Sequence, residues 1–310
     1  MKILGVNISH HMSYAFFEEG VLKEYYEEDR FNKIKNFNPF SDNLLTFEGV
    51  KKFKDIEFDC LAIASYGRSS PTKDYVVIEA LQNQIKHKEY YFNYYHHHLY
   101  HAICALYLSP FKEATAVIRD GGGAHHPAYP GYQELDSIYH LNKNTLSSQY
   151  QYYSNFRFTP FDDDREVEKD NYVFSSKKIG GSKYLDYSHM AGFENRPGEL
   201  MGIAPYAMVK EKYDNINYEQ AKLGEIAQRE TLEETYKLID KCKSSRNIVL
   251  SGGYFLNCLN NFKLVKKYPE LNFFVDPIAH DGGTAIGAAV YYENYKKYWS
   301  KFWCSMYNVS

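Results

Sequence analysis

Several patterns that would point directly to a function are missing from this sequence. Its five cysteines lie far apart and form no CxxC pair, which argues against a disulfide framework and against a zinc site built from thiolates. No apolar run approaches the roughly 20 residues that cross a bilayer, and the first residues, MKILGVNISHH, contain too short an apolar run for a signal peptide. Neither GxxxxGKS/T nor GxGxxG occurs, so the two common nucleotide-binding motifs are absent. We therefore expect a cytoplasmic protein without membrane contact.

The charge balance bears on whether the protein binds nucleic acids. The chain has 36 Lys and Arg against 39 Asp and Glu, a net charge of −3, and a pI near 6.5. Such a balance gives no general basic surface for nucleic-acid phosphates, but it does not exclude a local basic groove. With 310 residues, 44% of them hydrophobic, the chain can form one large domain or two associated halves with a substantial core.

Three apolar segments end in glycine-rich turns. ATAVIRDGGG ends with Asp120 and three glycines, RNIVLSGG ends with Gly252 and Gly253, and FFVDPIAHDGG ends with Asp281 and two glycines. The last two lead into helical patterns. Small loops and helix N-termini are typical of phosphate sites, because backbone N–H groups can approach the anion closely. The alternation of strands and helices predicts an α/β fold.

The segment NYYHHHLYHAICALYLSPF holds four of the twelve histidines. His97 and His101 are four residues apart, so on a helix both imidazoles lie on one face within reach of one ion. Asp120 and Asp281 are candidates for further ligands, and two histidines with two carboxylates would suit iron, zinc or manganese. Asp is also common in turns for backbone reasons, and histidine is tolerated on helix surfaces. The residues alone leave both interpretations open.

Five segments resemble, in the same order, the O-carbamoyltransferases that modify nodulation factors and antibiotics. They are ILGVNISHHMSYAFFEEG with YEEDRFNKIK, HHLYHAICALYLSPFKEATAVIRDGGG, GELMGIAPYA, LSGGYFLNCLNNFKL and DPIAHDGGTAIGAA, and together they span about residues 1–292. The resemblance implies an actin/Hsp70-like (ASKHA) duplicated α/β fold, with two lobes around a nucleotide and metal cleft. We expect the first lobe over residues 1–105 and the second over 106–310.

The same resemblance assigns roles to individual residues. It implies a divalent metal ion, with iron in first place and zinc or manganese as alternatives, held by His97, His101, Asp120 and Asp281. It implies a catalytic role near the acceptor for His11. The loops around the nucleotide would be formed by Gly121, Gly122, Gly123, Gly252, Gly253 and Asn257.

The implied activity is O-carbamoyl transfer. In such enzymes carbamoyl phosphate and ATP give carbamoyl adenylate, and the carbamoyl group then passes to a hydroxyl. The expected acceptor is a sugar, a metabolite, or a hydroxymethyl-pyrimidine nucleotide or DNA such as one containing 5-hydroxymethylcytosine. A nucleic acid therefore remains among the acceptors to be tested.

Three departures from the family pattern bear on this expectation. Met12 replaces the Asp that follows the turn histidine, and Glu199 replaces a Lys. We also expect no YrdC-like adenylate-forming domain in this chain, so that a separate YrdC-like protein would be a partner. Two alternatives follow: a tRNA threonylcarbamoyl-type transferase, or a non-catalytic nucleotide- and metal-binding subunit. The segments EEDRFNKIK and MGIAPYA favour the O-carbamoyl branch over the first alternative.

Overall fold

The secondary structure is given by a computed structural model, which describes residues 1–42, 45–66, 72–155, 166–194, 196–209, 213, 215–242 and 244–296. The strands are β1 (Lys2–Asn7), β2 (Ser13–Glu18), β3 (Val21–Glu27), β4 (Phe58–Ala64), β5 (His87–Phe92), β6 (Glu113–Arg119), β7 (Gln133–Asn142), β8 (Leu146–Ser154), β9 (Glu166–Lys169), β10 (Tyr172–Ser175), β11 (Asn247–Ser251) and β12 (Asn272–Val275). The helices are α1 (Asp29–Asn32), α2 (Pro39–Asp42), α3 (Thr72–Gln82), α4 (His97–Leu108), α5 (Gly180–Met190), α6 (Pro197–Ile203), α7 (Tyr218–Ile239), α8 (Cys258–Lys267) and α9 (Thr284–Asn294).

The first sheet has the strand order β3-β2-β1-β4-β5. Strands β1, β2 and β3 form an antiparallel meander, and β4 and β5 continue the sheet in parallel with β1. The tight turn between β2 and β3 places Glu19 and Gly20 at φ 53° and 76°, the left-handed region that two-residue hairpin turns use. A Glu-Gly pair between two apolar segments is a local sequence signal for such a hairpin.

The second sheet repeats the same arrangement. Its order is β12-β11-β6-β7-β8-β10-β9. Strands β6, β7 and β8 form an antiparallel meander, and β11 and β12 follow β6 in parallel. The five strands β8-β7-β6-β11-β12 therefore reproduce the order and directions of β3-β2-β1-β4-β5. The fold is duplicated, with β10 and β9 added at one edge.

Two helices join the sheets. Helix α9 packs on β1 and β4, helix α4 packs on β6 and β11, and the two helices pack on each other. Their backbones approach closely, since a Cβ on Gly287 would lie 2.0 Å from the carbonyl oxygen of Tyr100. The expected lobe boundary at residue 105 lies inside α4, and α9 returns to the first sheet, so a division into lobes at this residue stays a prediction.

A buried arginine, Arg119, links the second sheet to α7. The Arg119 guanidinium donates to the Asp136 carboxylate, with a shortest distance of 2.6 Å from Nη2 to Oδ2. Its Nη1 donates to the carbonyl oxygen of Thr231 at 2.9 Å and to the hydroxyl of Thr235 at 2.7 Å. Helix α7 is thereby fixed against the strand whose end carries Asp120. Among the residues that the structure describes, no helix combines the length and the apolar character needed to cross a membrane.

Candidate metal centre

Four side chains predicted as metal ligands lie together in the structure. His97 begins α4 and His101 lies one turn later; Asp120 directly follows β6, and Asp281 begins the 3₁₀ turn Asp281–Gly283 before α9. One nitrogen or carboxylate oxygen from each residue lies within 4.8 Å of those of the other three. Residues from three distant parts of the chain thus converge because α4 and α9 both begin beside the end of β6.

The distances show how the four groups face one another. His97 Nε2 lies 3.3 Å from Asp120 Oδ2 and 3.7 Å from Asp281 Oδ1. His101 Nε2 lies 3.8 Å from the same Asp281 oxygen. Both imidazoles are fully buried. Two nitrogens and two oxygens therefore surround one small volume.

The other oxygen of each carboxylate contacts a polar group of the protein on the side away from the imidazoles. Asp120 Oδ1 accepts a hydrogen bond from the Gly253 N–H at 3.0 Å. Asp281 Oδ2 lies 3.1 Å from the Ser9 hydroxyl, whose single proton also faces Asn7 Oδ1 at 2.7 Å. The Asp120 carboxylate is thus oriented through one oxygen and turns the other toward His97, as carboxylates in metal sites commonly do.

The donor set fits a divalent metal ion. His101 Nε2 is buried and has no hydrogen-bond partner among the described residues, although two carboxylates are close. A lone pair on a neutral imidazole and carboxylate oxygens are ordinary ligands of iron, zinc and manganese. A metal ion bound between this nitrogen and the carboxylate oxygens would satisfy all of them.

The charges in the site compensate one another. Burial alone would lower the pKa of His97, but the carboxylates of Asp281 and Asp120 raise it. Burial alone would raise the pKa of Asp281, but the imidazoles of His97 and His101 lower it. The pKa of Asp120 is lowered for the same reason, chiefly by its hydrogen bond with His97. A cation would therefore compete with protons for this site.

The two carboxylates line a cavity of about 480 Å³ that also contains His11. His11 has a left-handed backbone at φ 57°, and its ring packs on His280 with 4.3 Å between centroids. Its Nδ1 is buried without a hydrogen-bond partner in the described part of the chain. Burial, reinforced by the His280 imidazole, lowers the pKa of His11 to about 4. The ring is therefore neutral at physiological pH.

The predicted nucleotide residues lie beside the metal ligands, but several have structural roles of their own. The Gly252 N–H donates to Ala279 O at 3.0 Å, and the Gly123 N–H donates to Glu134 O at 2.7 Å. Gly252, at φ 94°, could not carry a Cβ, which would lie 2.3 Å from Arg119 O. Their role toward a nucleotide stays a prediction.

The other members of that set divide between the cavity and the protein interior. Gly121 and Gly253 line the cavity. A Cβ on Gly122 would lie 2.5 Å from the side chain of Gln133. Asn257 caps α8 and donates to Gln228 at 2.7 Å. Asn257 is thus oriented inward, while Gly121 has the most open surroundings of the group.

Met12 and Glu199, the two residues that depart from the family pattern, have different surroundings. Met12 is buried in an apolar cluster and does not line the cavity. Glu199 lines the cavity and pairs with Arg196, which lines it too, at 2.8 Å. The negative charge of Glu199 is therefore accompanied by a positive one on the same wall.

Two residues near the ligands were missed by reasoning from sequence. The Ser251 hydroxyl lies 3.2 Å from His101 Nδ1 and donates to Asp276 Oδ2 at 2.8 Å. The only signal for them is that each stands at the end of an apolar strand segment, and that signal does not tell which strands are neighbours.

Comparison with known proteins supports a relationship to carbamoyltransferases. A family model described as "Carbamoyltransferase N-terminus" matches residues 220–290, which include Asp281. An uncharacterized protein of Methanocaldococcus jannaschii is 27% identical over 310 residues, covering 93% of this chain and 56% of that protein. Nodulation protein NolO of Bradyrhizobium diazoefficiens is 26% identical over 212 residues, covering 63% of this chain and 37% of that protein. The chain thus spans about half or less of the length of these relatives.

Solved structures confirm the fold. A ROK family protein of Streptococcus pneumoniae superimposes with a TM-score of 0.51 at 13% identity, covering 96% of this chain and all of that one. The activator of 2-hydroxyisocaproyl-CoA dehydratase from Clostridium difficile gives a TM-score of 0.50 at 13% identity, covering 100% and 98% of the two chains. Together with the duplicated sheets, these matches establish the actin/Hsp70-like α/β fold.

Proposed function

We propose that the protein is an O-carbamoyltransferase that moves a carbamoyl group from carbamoyl adenylate to a hydroxyl group. The observation that carries the proposal is the convergence of His97, His101, Asp120 and Asp281 at a cavity that also contains His11, in a chain similar in sequence to carbamoyltransferases. The acceptor is a sugar, a metabolite, or a hydroxymethyl-pyrimidine nucleotide or DNA. The adenylate is made from carbamoyl phosphate and ATP, by this protein or by a YrdC-like partner.

In this proposal the four residues hold a divalent metal ion, iron in first place. When bound, such an ion supplies Lewis-acid polarisation of a carbonyl group. The Gly253 N–H donates to Asp120 Oδ1, so this ligand is oriented before any substrate enters.

His11 is the proposed proton acceptor. The acceptor hydroxyl oxygen forms a bond to the carbamoyl carbon, the bond from that carbon to the adenylate oxygen breaks, and AMP leaves with the electron pair. The hydroxyl proton goes to the neutral imidazole of His11, a residue that lines the same cavity.

The test is mass spectrometry of reactions with supplied carbamoyl adenylate, and with carbamoyl phosphate and ATP, with and without a YrdC-like protein. The acceptors are pooled sugars, nucleosides, hydroxymethylcytidine monophosphate and hydroxymethylcytosine DNA. We expect one acceptor to gain the mass of a carbamoyl group. His101→Gln and Asp281→Asn abolish that gain, whereas His87→Gln, on the edge strand β5 of the first sheet, retains it.

The same experiment distinguishes the two alternatives. If tRNA gains mass when threonylcarbamoyl adenylate is supplied, and no hydroxyl acceptor does, the threonylcarbamoyl-type reading replaces ours. If no acceptor gains mass while metal and nucleotide still bind, the protein is a non-catalytic subunit.

A further inference from the structure

The ends of two neighbouring parallel strands place a serine and an aspartate behind the metal centre. Strand β11 ends at Ser251, and Asp276 directly follows β12. Leu250 and Val275 are register partners, and the Asp276 N–H donates to Leu250 O at 2.9 Å. Both side chains are buried, at 0% and 2% exposure, so their polar atoms depend on protein partners.

The hydrogen bonds of this pair have a defined direction. An ionised carboxylate only accepts, and Asp276 accepts from the Ile278 N–H at 2.8 Å and from the Ser251 hydroxyl at 2.8 Å. Ser251 has one proton and gives it to Asp276. Its oxygen therefore accepts from His101 Nδ1, 3.2 Å away, and in the neutral ring this nitrogen must carry the hydrogen.

A neutral imidazole with its hydrogen on Nδ1 has its lone pair on Nε2. This is the His101 nitrogen that lies 3.8 Å from Asp281 Oδ1 and has no hydrogen-bond partner within the described ranges. We propose that Asp276 and Ser251 act as positioning residues that fix His101 in its ligand-competent tautomer. The proposal rests on the metal centre of the proposed function and adds two residues to it.

The hydrogen bonds of Ser251 and Asp276 reach only one of the two ligand histidines, His101. His97 Nδ1 is buried and has no hydrogen-bond partner in the part of the chain that is described. Its other nitrogen, Nε2, faces the carboxylates and lies 3.3 Å from Asp120 Oδ2. Changes in the Ser251–Asp276 pair should thus affect the His101 ligand and leave His97 in place.

The direction of the hydrogen bonds gives two variants with different outcomes. Ser251→Ala removes the partner of Nδ1, so either tautomer is allowed. Asp276→Asn reverses the direction of these hydrogen bonds. The Ile278 N–H still donates to the amide oxygen of the new side chain, so the amide NH₂ donates to Ser251. Ser251 then donates to Nδ1, and the hydrogen moves to Nε2, where it blocks ligation. A merely structural role would not make the isosteric change the more harmful one.

The first experiment records the tautomer by ¹⁵N–¹H correlation NMR on the metal-free protein at alkaline pH, with His101→Gln assigning the signals. We expect an Nδ1–H ring in the wild type and an Nε2–H ring in Asp276→Asn. An Nε2–H ring in the wild type would overturn the proposal. This readout needs neither metal nor activity, so it holds even if the proposed function fails.

The second experiment measures the affinity for Zn²⁺, Fe²⁺ and Mn²⁺ by competition with a chromophoric chelator. We expect the loss of such an outer hydrogen bond to weaken binding about 10-fold in Ser251→Ala and about 100-fold in Asp276→Asn. The matched controls are Ser65→Ala and Asp74→Asn, which alter another buried Ser–Asp hydrogen bond, of 2.9 Å, beyond the end of β4.

The controls should bind metal as the wild type does. Equal affinities in the wild type and both site variants would contradict the proposal. If the wild type itself binds no metal, the proposed function fails and the NMR experiment alone decides the tautomer. Thermal unfolding of each variant separates loss of the ligand from loss of the fold.

Discussion

Replacing Arg119 with methionine removes a fully buried cation and puts an apolar side chain of similar volume in its place. In the wild type Arg119 is 1% exposed and Asp136 is 1% exposed. The guanidinium donates to Asp136 from Nε at 3.0 Å and from Nη2 at 2.6 Å, and also binds Thr231 and Thr235. Methionine would fill the space but leave the carboxylate buried and unpaired.

The expected cost follows from that unpaired charge. Breaking a buried pair by removing one partner costs about 3–5 kcal/mol, against a total stability of about 5–15 kcal/mol for a typical protein. The double variant Arg119→Met, Asp136→Leu should recover most of the loss, because the fully buried Asp136 carboxylate is then removed together with its partner. The assay is urea unfolding of the two single variants and the double variant, which gives the coupling energy of the pair.

A matched control is Arg229→Met. Arg229 forms an ion pair with Glu225 at 3.4 Å on α7, and its side chain is 60% exposed. An exposed pair of this kind is worth at most about 1 kcal/mol. If Arg119→Met also cost no more than about 1 kcal/mol, or if the double variant were less stable than Arg119→Met, the reasoning from burial would be refuted.

Two further predictions concern single sites. Burial raises the pKa of Glu134 from 4.5 to about 6, so its contribution to stability is present below pH 4.5 and is lost as the pH rises through 6. This loss is about 2 kcal/mol, and urea unfolding at both ends of that range should show it in the wild type but not in Glu134→Gln; equal pH dependence in both would contradict it. Gly287→Ala should destabilise by about 1–3 kcal/mol, because its Cβ would lie 2.0 Å from Tyr100 O, whereas Gly198→Ala, whose Cβ meets no described atom within 4 Å, should not destabilise. Thermal unfolding of the two alanine variants checks this, and equal melting temperatures would contradict the close approach of α4 and α9.

Local features of the fold were predictable from the sequence. The β2–β3 hairpin follows from one Glu-Gly pair between two apolar segments, and the common face of His97 and His101 follows from helical spacing. These features depend on residues that are close in the chain. The placement of Asp120 and Asp281 beside the two histidines came from resemblance, because spacing alone could not distinguish ligands from turn residues.

Features that depend on strand pairing could not be predicted. Ser251 and Asp276 meet because β11 and β12 are neighbours in one register, which no local pattern specifies. Tertiary contacts also decide what the glycine loops can bind, since the sequence predicts only small loops whose N–H groups can approach a phosphate. In the structure the N–H groups of Gly252 and Gly253 already bind Ala279 and Asp120. Tertiary partners, which a sequence does not list, decide whether such groups are available.

We propose that His97, His101, Asp120 and Asp281 together hold one metal ion. The most direct test is equilibrium titration of metal-free protein with Fe²⁺, Zn²⁺ and Mn²⁺, followed by X-ray absorption of the loaded protein. We expect one ion per chain with nitrogen and oxygen ligands in the wild type, and no specific binding in the variant that combines His97→Gln with Asp281→Asn. Wild-type binding no stronger than that of this variant would contradict the claim.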